Sequence, residues 1–251
     1  MLPRLQVDSD DVKIVEIWRD TSQAAFSEIG SILRSIESGS CFVALDTEFC
    51  IPDGINVLPY EPPTPDAHYS QLRSYVHGGD LVHIGIGFAD TEFKLIGGRV
   101  YQFNIFFDPT KRSPDHCGVK FLRQSGLRLE EHARRGLPAL DFMNMLCQFS
   151  LLQNKKLTWV TFMGYPDFGF IIHLLTRNEL PEDRTQFLLQ VTEYFPSSCD
   201  CKFFSKYGYC IKMERVPGKL EGVATALGAK RTGKGHQAAS DALPGLRCFN
   251  G

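Results

Sequence analysis

Residues 41–49, CFVALDTEF, form an apolar run that is typical of a buried β-strand and that ends on two carboxylates. In an extended strand, side chains two residues apart point to the same side. Asp46 and Glu48 are therefore expected to present their carboxylates together at the end of this strand. Hard divalent cations such as Mg²⁺ take oxygen ligands, so the pair is a candidate metal site.

The segments on either side of this strand predict an α/β fold. A helical pattern over residues 21–36 precedes it, after a polar cluster able to cap a helix start. A proline-rich loop over residues 51–68 follows it and leads to two β-like runs, residues 81–89 and 100–107, which are expected to form a hairpin through a segment containing Gly97-Gly98. The later predicted elements are helices near 118–124, 129–135, 140–151, 167–177, 182–194, 219–227 and from 235 onward, with strands at 157–162 and 201–204. This order predicts a mixed sheet, antiparallel strands followed by parallel strands, with helices on both faces.

Composition narrows the class of protein. The 251 residues are 43% hydrophobic, so we expect one globular domain over residues 1–251. The net charge of -2 excludes the broad basic surface that binds nucleic acid through phosphates alone, so any nucleic acid must be bound locally. The first 18 residues contain no apolar run long enough for a signal peptide or a membrane span, and we expect a soluble, intracellular protein with no membrane partner.

The eight cysteines are expected to be reduced thiols, because a chain of this length does not need disulfides. Cys199, Cys201 and Cys210 could form a zinc site instead. Their spacing lacks the C-x2-C pair that marks structural zinc sites, so this alternative is disfavoured.

Two more carboxylates and a histidine could complete a metal site. Asp167 follows Pro166 at the start of a predicted helix, where a simple N-cap is the alternative role. His236 precedes Asp241 by five residues, which would place them about 140° apart on one continuous helix. If His236 lies in the loop before that helix, both side chains can face one site and the imidazole can accept a proton from water. The alternative role for His236 is that of an ordinary surface histidine.

A second copy of the tetrapeptide DTEF, at residues 90–93, weakens the signal of the first. It too follows an apolar strand, so spacing alone does not choose between the two copies. The second copy lies beside the predicted hairpin turn, where exposed acids commonly have no role beyond solvation.

Three motifs, taken in order, resemble those of the DEDD exonucleases with a histidine base: residues 46–49 (DTEF), 167–169 (DFG) and 236–241 (HQAASD). The sequence between them is similar to the Pop-type, or CCR-associated-factor, family of deadenylase subunits of the carbon-catabolite-repressor NOT complex. The segments that carry this likeness are 101–104 (YQFN), 125–126 (SG), 180–182 (LPE), 194–196 (YFP) and 219–224 (KLEGVA). The family places its first ligands in the first long strand, which matches Asp46 and Glu48 and not Asp90 and Glu92.

The resemblance implies a ribonuclease-H-like fold and a metal-dependent 3′-to-5′ exoribonuclease that removes the poly(A) tail of mRNA and releases AMP. His236 would be the base that deprotonates the attacking water. The implied ligands of two Mg²⁺ or Mn²⁺ ions are Asp46, Glu48, Asp167 and Asp241.

The resemblance also implies partners and location. Lys230, Arg231 and Lys234 would contact the RNA phosphates, or would form only a solvated basic turn. The implied protein partners are the scaffold of the NOT complex and a second deadenylase subunit. The implied locations are the cytoplasm and the nucleus.

Two departures from the family pattern leave a second hypothesis open. The family usually has His-Ser-Gly-Tyr before the aspartate that matches Asp167, whereas this chain has Met163-Gly164-Tyr165-Pro166. Pro244 interrupts the segment after Asp241, and the domain looks shortened at its C-terminus. The alternative is a catalytically weakened pseudo-deadenylase that acts as a docking module for the NOT scaffold. A nuclease for DNA or for other RNA ends is a third possibility, because metal ligands do not read bases.

Overall fold

The computed structural model describes residues 12–36, 40–55, 64–113, 115–202 and 235–250, together with residues 220, 222, 225 and 233. Its strands are β1 (Lys13–Ile17), β2 (Cys41–Cys50), β3 (Asp80–Ala89), β4 (Leu95–Asn104), β5 (Leu157–Thr161) and β6 (Ser198–Asp200). They form a six-stranded sheet in the order β1-β4-β3-β2-β5-β6. The pairs β2–β3 and β3–β4 are antiparallel, and the pairs β1–β4, β2–β5 and β5–β6 are parallel. The predicted mixed sheet is confirmed.

Three details of the predicted strands need correction. β1 was not predicted, because five residues at the edge of a sheet give too short a pattern. Gly97 and Gly98 lie inside β4 with φ of 70° and 61°, and the hairpin turn lies at Asp90–Lys94 instead. The predicted strand at residues 201–204 is wrong at residues 201 and 202, which are helical, since β6 ends at Asp200; residues 203 and 204 lie outside the described residues.

The helices are α1 (Ser22–Ser35), α2 (Pro65–Val76), α3 (Cys117–Gln124), α4 (Leu129–Arg135), α5 (Ala139–Gln148), α6 (Tyr165–Thr176), α7 (Arg184–Tyr194) and α8 (Ala238–Asn250), with a 3-10 turn at Pro109–Lys111. α2 corrects the predicted loop over residues 51–68. Pro65 stands in the first turn, where its missing N–H is not needed, and the Thr64 side chain accepts a hydrogen bond from the Ala67 N–H at 3.1 Å. The predicted helix over residues 219–227 lies largely outside the described residues.

The two faces of the sheet carry different cores. Val43 and Leu45 of β2 belong to the larger core, which includes buried residues of α1, α5 and α6. Ala44, on the opposite face, packs with Ala242 and Leu246 of α8. Helices therefore cover both faces, as predicted. Among the described residues, no helix combines the length and the apolar character needed to cross a membrane.

The start of α8 lies directly against the middle of the sheet. Gly85 of β3 has no side chain at this point, and a Cβ there would overlap the backbone of Ala238 and Ala239. Gly85 is also the register partner of Asp46 on the neighbouring strand. The missing side chain thus brings the first turn of α8 next to the carboxylate end of β2.

Candidate metal centre

Three side chains from β2 and from the region where α8 begins form a cluster. One ligand atom of each of Glu48, His236 and Asp241 lies within 4.8 Å of the others. Asp241 is buried, Glu48 is half-buried and His236 is exposed. The cluster therefore opens to solvent on the histidine side, where a substrate could reach it.

The loop before α8 orients His236. Its backbone is left-handed, with φ of 59°, and its N–H donates to Asp241 Oδ2 at 2.8 Å. α8 begins at Ala238, so His236 lies in the loop and not on the helix. Because His236 lies in the loop, a histidine and an aspartate five residues apart can face one site. This is the condition that the sequence sets for a shared site. Asp241 is thus both a potential ligand and an anchor of the loop.

Asp46 lies on the same face of β2 as Glu48. Ala44 has the same parity along the strand and packs against α8, so Asp46 also faces the α8 side of the sheet. Two residues along a strand span about 7 Å, which places Asp46 one step further from the strand end than Glu48.

Asp167, in the first turn of α6, contacts the same part of β2. Its Oδ1 accepts a hydrogen bond of 2.6 Å from the hydroxyl of Thr47, the residue between Asp46 and Glu48. The pKa of Asp167 is raised to about 7, chiefly by burial; the hydrogen bond from Thr47 opposes this rise, and the nearby charge of Asp200 adds to it.

The start of α6 differs from the sequence interpretation. The helix begins at Tyr165, with Gly164 as its N-cap and no side-chain capping bond, so Asp167 is not an N-cap. Pro166 stands in the first turn, where a proline is tolerated, and α6 forms in its presence.

Asp200, at the end of β6, is a functional candidate that the sequence interpretation missed. Its two carboxylate oxygens accept hydrogen bonds from the backbone N–H groups of Met163, at 2.9 Å, and Gly164, at 3.0 Å. Met163 has φ of 63°, so this carboxylate holds a strained turn directly before α6. The available signal is an acid at the end of a short strand parallel to β5, but the sequence pattern predicts that strand three residues too late.

The remaining candidates lie elsewhere. Asp90 accepts hydrogen bonds from the Glu92 and Lys94 N–H groups, and Glu92 pairs with Lys94 at 2.8 Å, so the second DTEF copy forms a hairpin turn.

The cysteines form no metal-site pattern of their own among the described residues. Cys201 is buried and its thiol donates to the Gly245 carbonyl at 3.2 Å. The six cysteines with described side chains form no disulfide. Lys230, Arg231, Lys234 and Cys210 lie outside the described residues.

No family model matches the chain, but individual proteins do. A probable CCR4-associated factor 1 homolog 7 of Arabidopsis thaliana is 30% identical over 250 residues, which cover 95% of this chain and 86% of that protein. The chain belongs to the CCR4-associated factor 1 family. A second relative, the poly(A) ribonuclease pop2 of Schizosaccharomyces pombe, is 28% identical over 98% of this chain and 72% of that protein. The family expected from the motifs is confirmed.

Solved structures agree with this assignment. The Mg²⁺- and Mn²⁺-bound form of S. pombe Pop2p aligns with a TM-score of 0.82 and 27% identity, over 94% of this chain and 90% of that chain. The yeast CAF1 co-crystallised with the NOT1 MIF4G domain aligns with a TM-score of 0.77 and 22% identity, over 99% and 90% of the two chains, which shows the shared fold. The ribonuclease-H-like fold of the CCR4-associated factor 1 family is thus confirmed.

The donors of the cluster fit a hard divalent cation. Glu48 and Asp241 offer carboxylate oxygens, His236 offers an imidazole nitrogen, and Asp46 adds a carboxylate on the same face. The carboxylates of half-buried Glu48 and buried Asp241 repel each other at this distance, so a cation between them is electrostatically favoured.

Proposed function

We propose that this protein is a metal-dependent 3′-to-5′ exoribonuclease that removes the poly(A) tail of mRNA and releases AMP. The observation that carries the proposal is the convergence of Glu48, His236 and Asp241 in a member of the CCR4-associated factor 1 family. One of the relatives is a poly(A) ribonuclease, and one of the structural neighbours holds Mg²⁺ and Mn²⁺.

The proposed ligands of two Mg²⁺ or Mn²⁺ ions are Asp46, Glu48, Asp167 and Asp241. Two bound divalent ions would supply electrostatic stabilisation of the attacking and leaving oxygens of the phosphodiester. His236 is exposed beside the carboxylates and accepts the proton of the attacking water. Thr47 holds Asp167 against β2, and Asp241 holds the loop of His236, so both supports act on groups of the site.

Binding of RNA and of protein partners belongs to the same proposal. Lys230, Arg231 and Lys234 precede the His236 loop in sequence, which would bring positive charge near the RNA phosphates that approach the acidic site. The structurally similar yeast CAF1 was co-crystallised with the NOT1 MIF4G domain, and we infer that this chain joins a NOT-type scaffold together with a second deadenylase subunit. A single domain over residues 1–251, acting in the cytoplasm and the nucleus, completes the proposal.

A second candidate function is a weakened deadenylase that serves as a docking module. It is favoured by the engagement of Asp167 with Thr47, which draws one oxygen of the third carboxylate into a protein hydrogen bond. Calorimetry with Mn²⁺ discriminates between the two candidates. Binding of the scaffold without binding of Mn²⁺ favours the docking module.

The test of activity uses the repeated tetrapeptide as an internal control. Incubation with Mg²⁺ and an RNA ending in oligo(A) is expected to give AMP and a ladder of shortened products. Asp46→Asn is expected to abolish the ladder, whereas Asp90→Asn in the second copy is expected to leave it unchanged, because Asn can still accept the turn hydrogen bonds. Absence of shortening by the wild type, or equal shortening by Asp46→Asn, contradicts the proposal.

The substrate class is tested with the same assay. Oligo(A), oligo(U) and oligo(C) of equal length, and a DNA oligomer ending in dA, are compared at one enzyme concentration. Preference for oligo(A) supports the poly(A) assignment. Equal rates on DNA and RNA would support the broader nuclease instead.

A further inference from the structure

α3 exposes a large aromatic ring beside the site. Val119 and Leu122 on one side of this helix are buried in a cluster with Leu127 and Leu129, which fixes the orientation of the helix. Phe121 lies between them in sequence and points outward, with 45% of its surface exposed. Single exposed apolar side chains are common, so exposure alone assigns no role to Phe121.

The position of Phe121 distinguishes it from the other exposed apolar side chains. Its ring centroid lies 5.0 Å from that of His236, with an angle of 70° between the rings. The Gln237 side chain donates to the Ser125 carbonyl at 3.4 Å, so α3 and the loop of His236 are joined at a second point. Phe121 therefore lies beside the exposed imidazole of the cluster, on the side where the cluster opens to solvent.

We propose that Phe121 stacks on one of the two bases that flank the scissile phosphate, and so aligns the unpaired 3′ end of the RNA. This role rests on the proposed exonuclease function. The chain carries a net charge of -2, so attraction to the RNA phosphates is confined to the proposed metal ions and basic residues, and an uncharged contact with the RNA end adds to its affinity. An exposed aromatic ring supplies such a contact, because every base presents a π-face on which it can stack.

The ring contact with His236 places this stacking next to the chemistry. A base held against Phe121 lies beside the imidazole that accepts the proton of the attacking water. Stacking strength depends on the size of the base, so the contact favours a purine over a pyrimidine without reading its hydrogen-bonding edge. Phe121 thus contributes to a preference for adenine over uracil and cytosine.

The rival role for Phe121 is support of the His236 ring alone. A cycle of protein and substrate changes separates the two roles. Wild type and Phe121→Ala are assayed on oligo(A) and on two otherwise identical RNAs, abasic at the last or at the penultimate nucleotide. Stacking predicts that Phe121→Ala raises KM for intact oligo(A) by about tenfold or more. It also predicts that the same variant has less than about a twofold effect on KM for one of the abasic RNAs, because the base that it contacts is already missing.

Equal losses on all three RNAs, or a fall in kcat with KM unchanged, overturn the stacking role in favour of His236 support. Leu189→Ala is the matched control, since Leu189 is 58% exposed on α7, which packs on α6 and the larger core. This control is expected to leave kcat and KM unchanged on every RNA.

A binding experiment tests the contact independently of turnover. The chain contains two tryptophans, so the emission of Phe121→Trp is read against that of the wild type. Oligo(A) is expected to quench the added tryptophan, and an abasic RNA of the same length is not. Failure of oligo(A) to quench it overturns the stacking role. Quenching without shortening of oligo(A) by the wild type instead contradicts the proposed function while leaving the stacking contact intact.

Discussion

Asp200 uses both carboxylate oxygens to hold a single turn. The Met163 and Gly164 N–H groups donate to different oxygens, and the turn leads directly into the helix that carries Asp167. Asp200→Asn replaces one acceptor by an amide that faces a backbone donor. A lost hydrogen bond with a buried donor left unpaired costs about 1–3 kcal/mol. We expect the free energy of unfolding to fall by that amount and kcat on oligo(A) to fall because Asp167 moves.

The positioning role of Asp200 is distinguished from a purely structural one by its control. Asp183 also accepts from a backbone N–H, that of Thr185 at 3.0 Å, at the start of α7. Asp183→Asn is expected to leave stability and kcat nearly unchanged, because Asn and Asp cap helices about equally. Chemical denaturation and steady-state kinetics on the same samples check both variants. A lower stability of Asp200→Asn with unchanged kcat would contradict the positioning role.

At the scale of elements, the contact between β3 and α8 depends on Gly85, whereas Gly87 on the same strand has more open surroundings. A Cβ on Gly85 would overlap the backbone of Ala238, whereas a Cβ on Gly87 would meet its nearest atoms, side-chain carbons of Leu95 and Val100, at 3.5 Å. Gly85→Ala must displace the first turn of α8 together with His236 and Asp241. We expect a loss of about 2 kcal/mol or more in unfolding free energy, within the range of overpacking, and a large loss of Mn²⁺ affinity.

Gly87→Ala is the matched control on the same face of the same strand. Its added methyl group makes ordinary van der Waals contact, so we expect a change within about 0.5 kcal/mol and normal Mn²⁺ binding. Thermal unfolding and calorimetry measure both quantities. Equal effects of the two substitutions would show that the close approach of α8 does not position the site.

Pro244 lies inside α8 and removes one hydrogen bond from it. The helix continues through the proline to Asn250, but Pro244 has no N–H to donate to the carbonyl of Ser240. Pro244→Ala is expected to raise the unfolding free energy by about 1–2 kcal/mol, less than the full cost of about 3 kcal/mol for an interior proline, because the buried ring also packs. The rate on oligo(A) is expected to be unchanged, since Pro244 lies beyond the first turn. A lower stability of the variant in thermal unfolding would show that ring packing outweighs the missing hydrogen bond.

The elements that could be predicted from sequence are those with a long pattern of their own. The ten residues of β2 carry both an apolar run and the parity of Asp46 and Glu48, and both agree with the structure. β1 and β6, with five and three residues, are stabilised by strands distant in sequence and have no comparable pattern. α2 is not predicted from the sequence, because Pro65 ends a proline-rich segment that indicates a loop, although the same residue is well suited to a first turn.

The residues of the site also differ in whether a local sequence pattern predicts their position. The loop position of His236 could be inferred, because two groups that must share a site cannot lie on opposite sides of one helix. The roles of Thr47 and Asp200 could not, because each depends on a distance between elements more than 30 residues apart. Such contacts arise from the packing of α6 and β6 on the sheet, which no local pattern specifies.

At the scale of the whole molecule, a buried pair of histidines joins β3 to α4. The rings of His83 and His132 lie 4.9 Å apart, and each residue is at most 3% exposed. Burial lowers the pKa of His83 to about 3, with the charge of His132 acting in the same direction, and burial also lowers the pKa of His132. The folded protein therefore holds both rings in their neutral form. The charged groups that act on His132 are Arg128, which lowers its pKa, and Glu16 and Glu131, which raise it.

The direction of the resulting pH dependence follows from linkage. Both folded pKa values lie below the unfolded value of about 6.5, so the unfolded chain takes up protons that the folded chain refuses. The stability from each histidine is complete above about pH 6.5 and is lost as the pH falls toward the folded pKa. The slope is at most about 1.4 kcal/mol per pH unit for each histidine.

His132→Asn is expected to flatten this dependence. The histidine Nδ1 donates to the Ile105 carbonyl at 2.7 Å, and an asparagine amide can make the same bond without titrating. The variant will be less stable at pH 7.5, because a buried ring is lost, but the difference from the wild type should shrink between pH 6.5 and 5.0. Urea unfolding at pH 7.5, 6.5, 5.8 and 5.0 measures this difference in unfolding free energy. A chelating buffer removes metal ions, so that the carboxylates titrate in the same way in both proteins.

The control is Val82→Ala, a buried change without a titrating group, which should lower stability equally at every pH. If His132→Asn instead runs parallel to the wild type, the neutral His132 is not a source of the acid sensitivity.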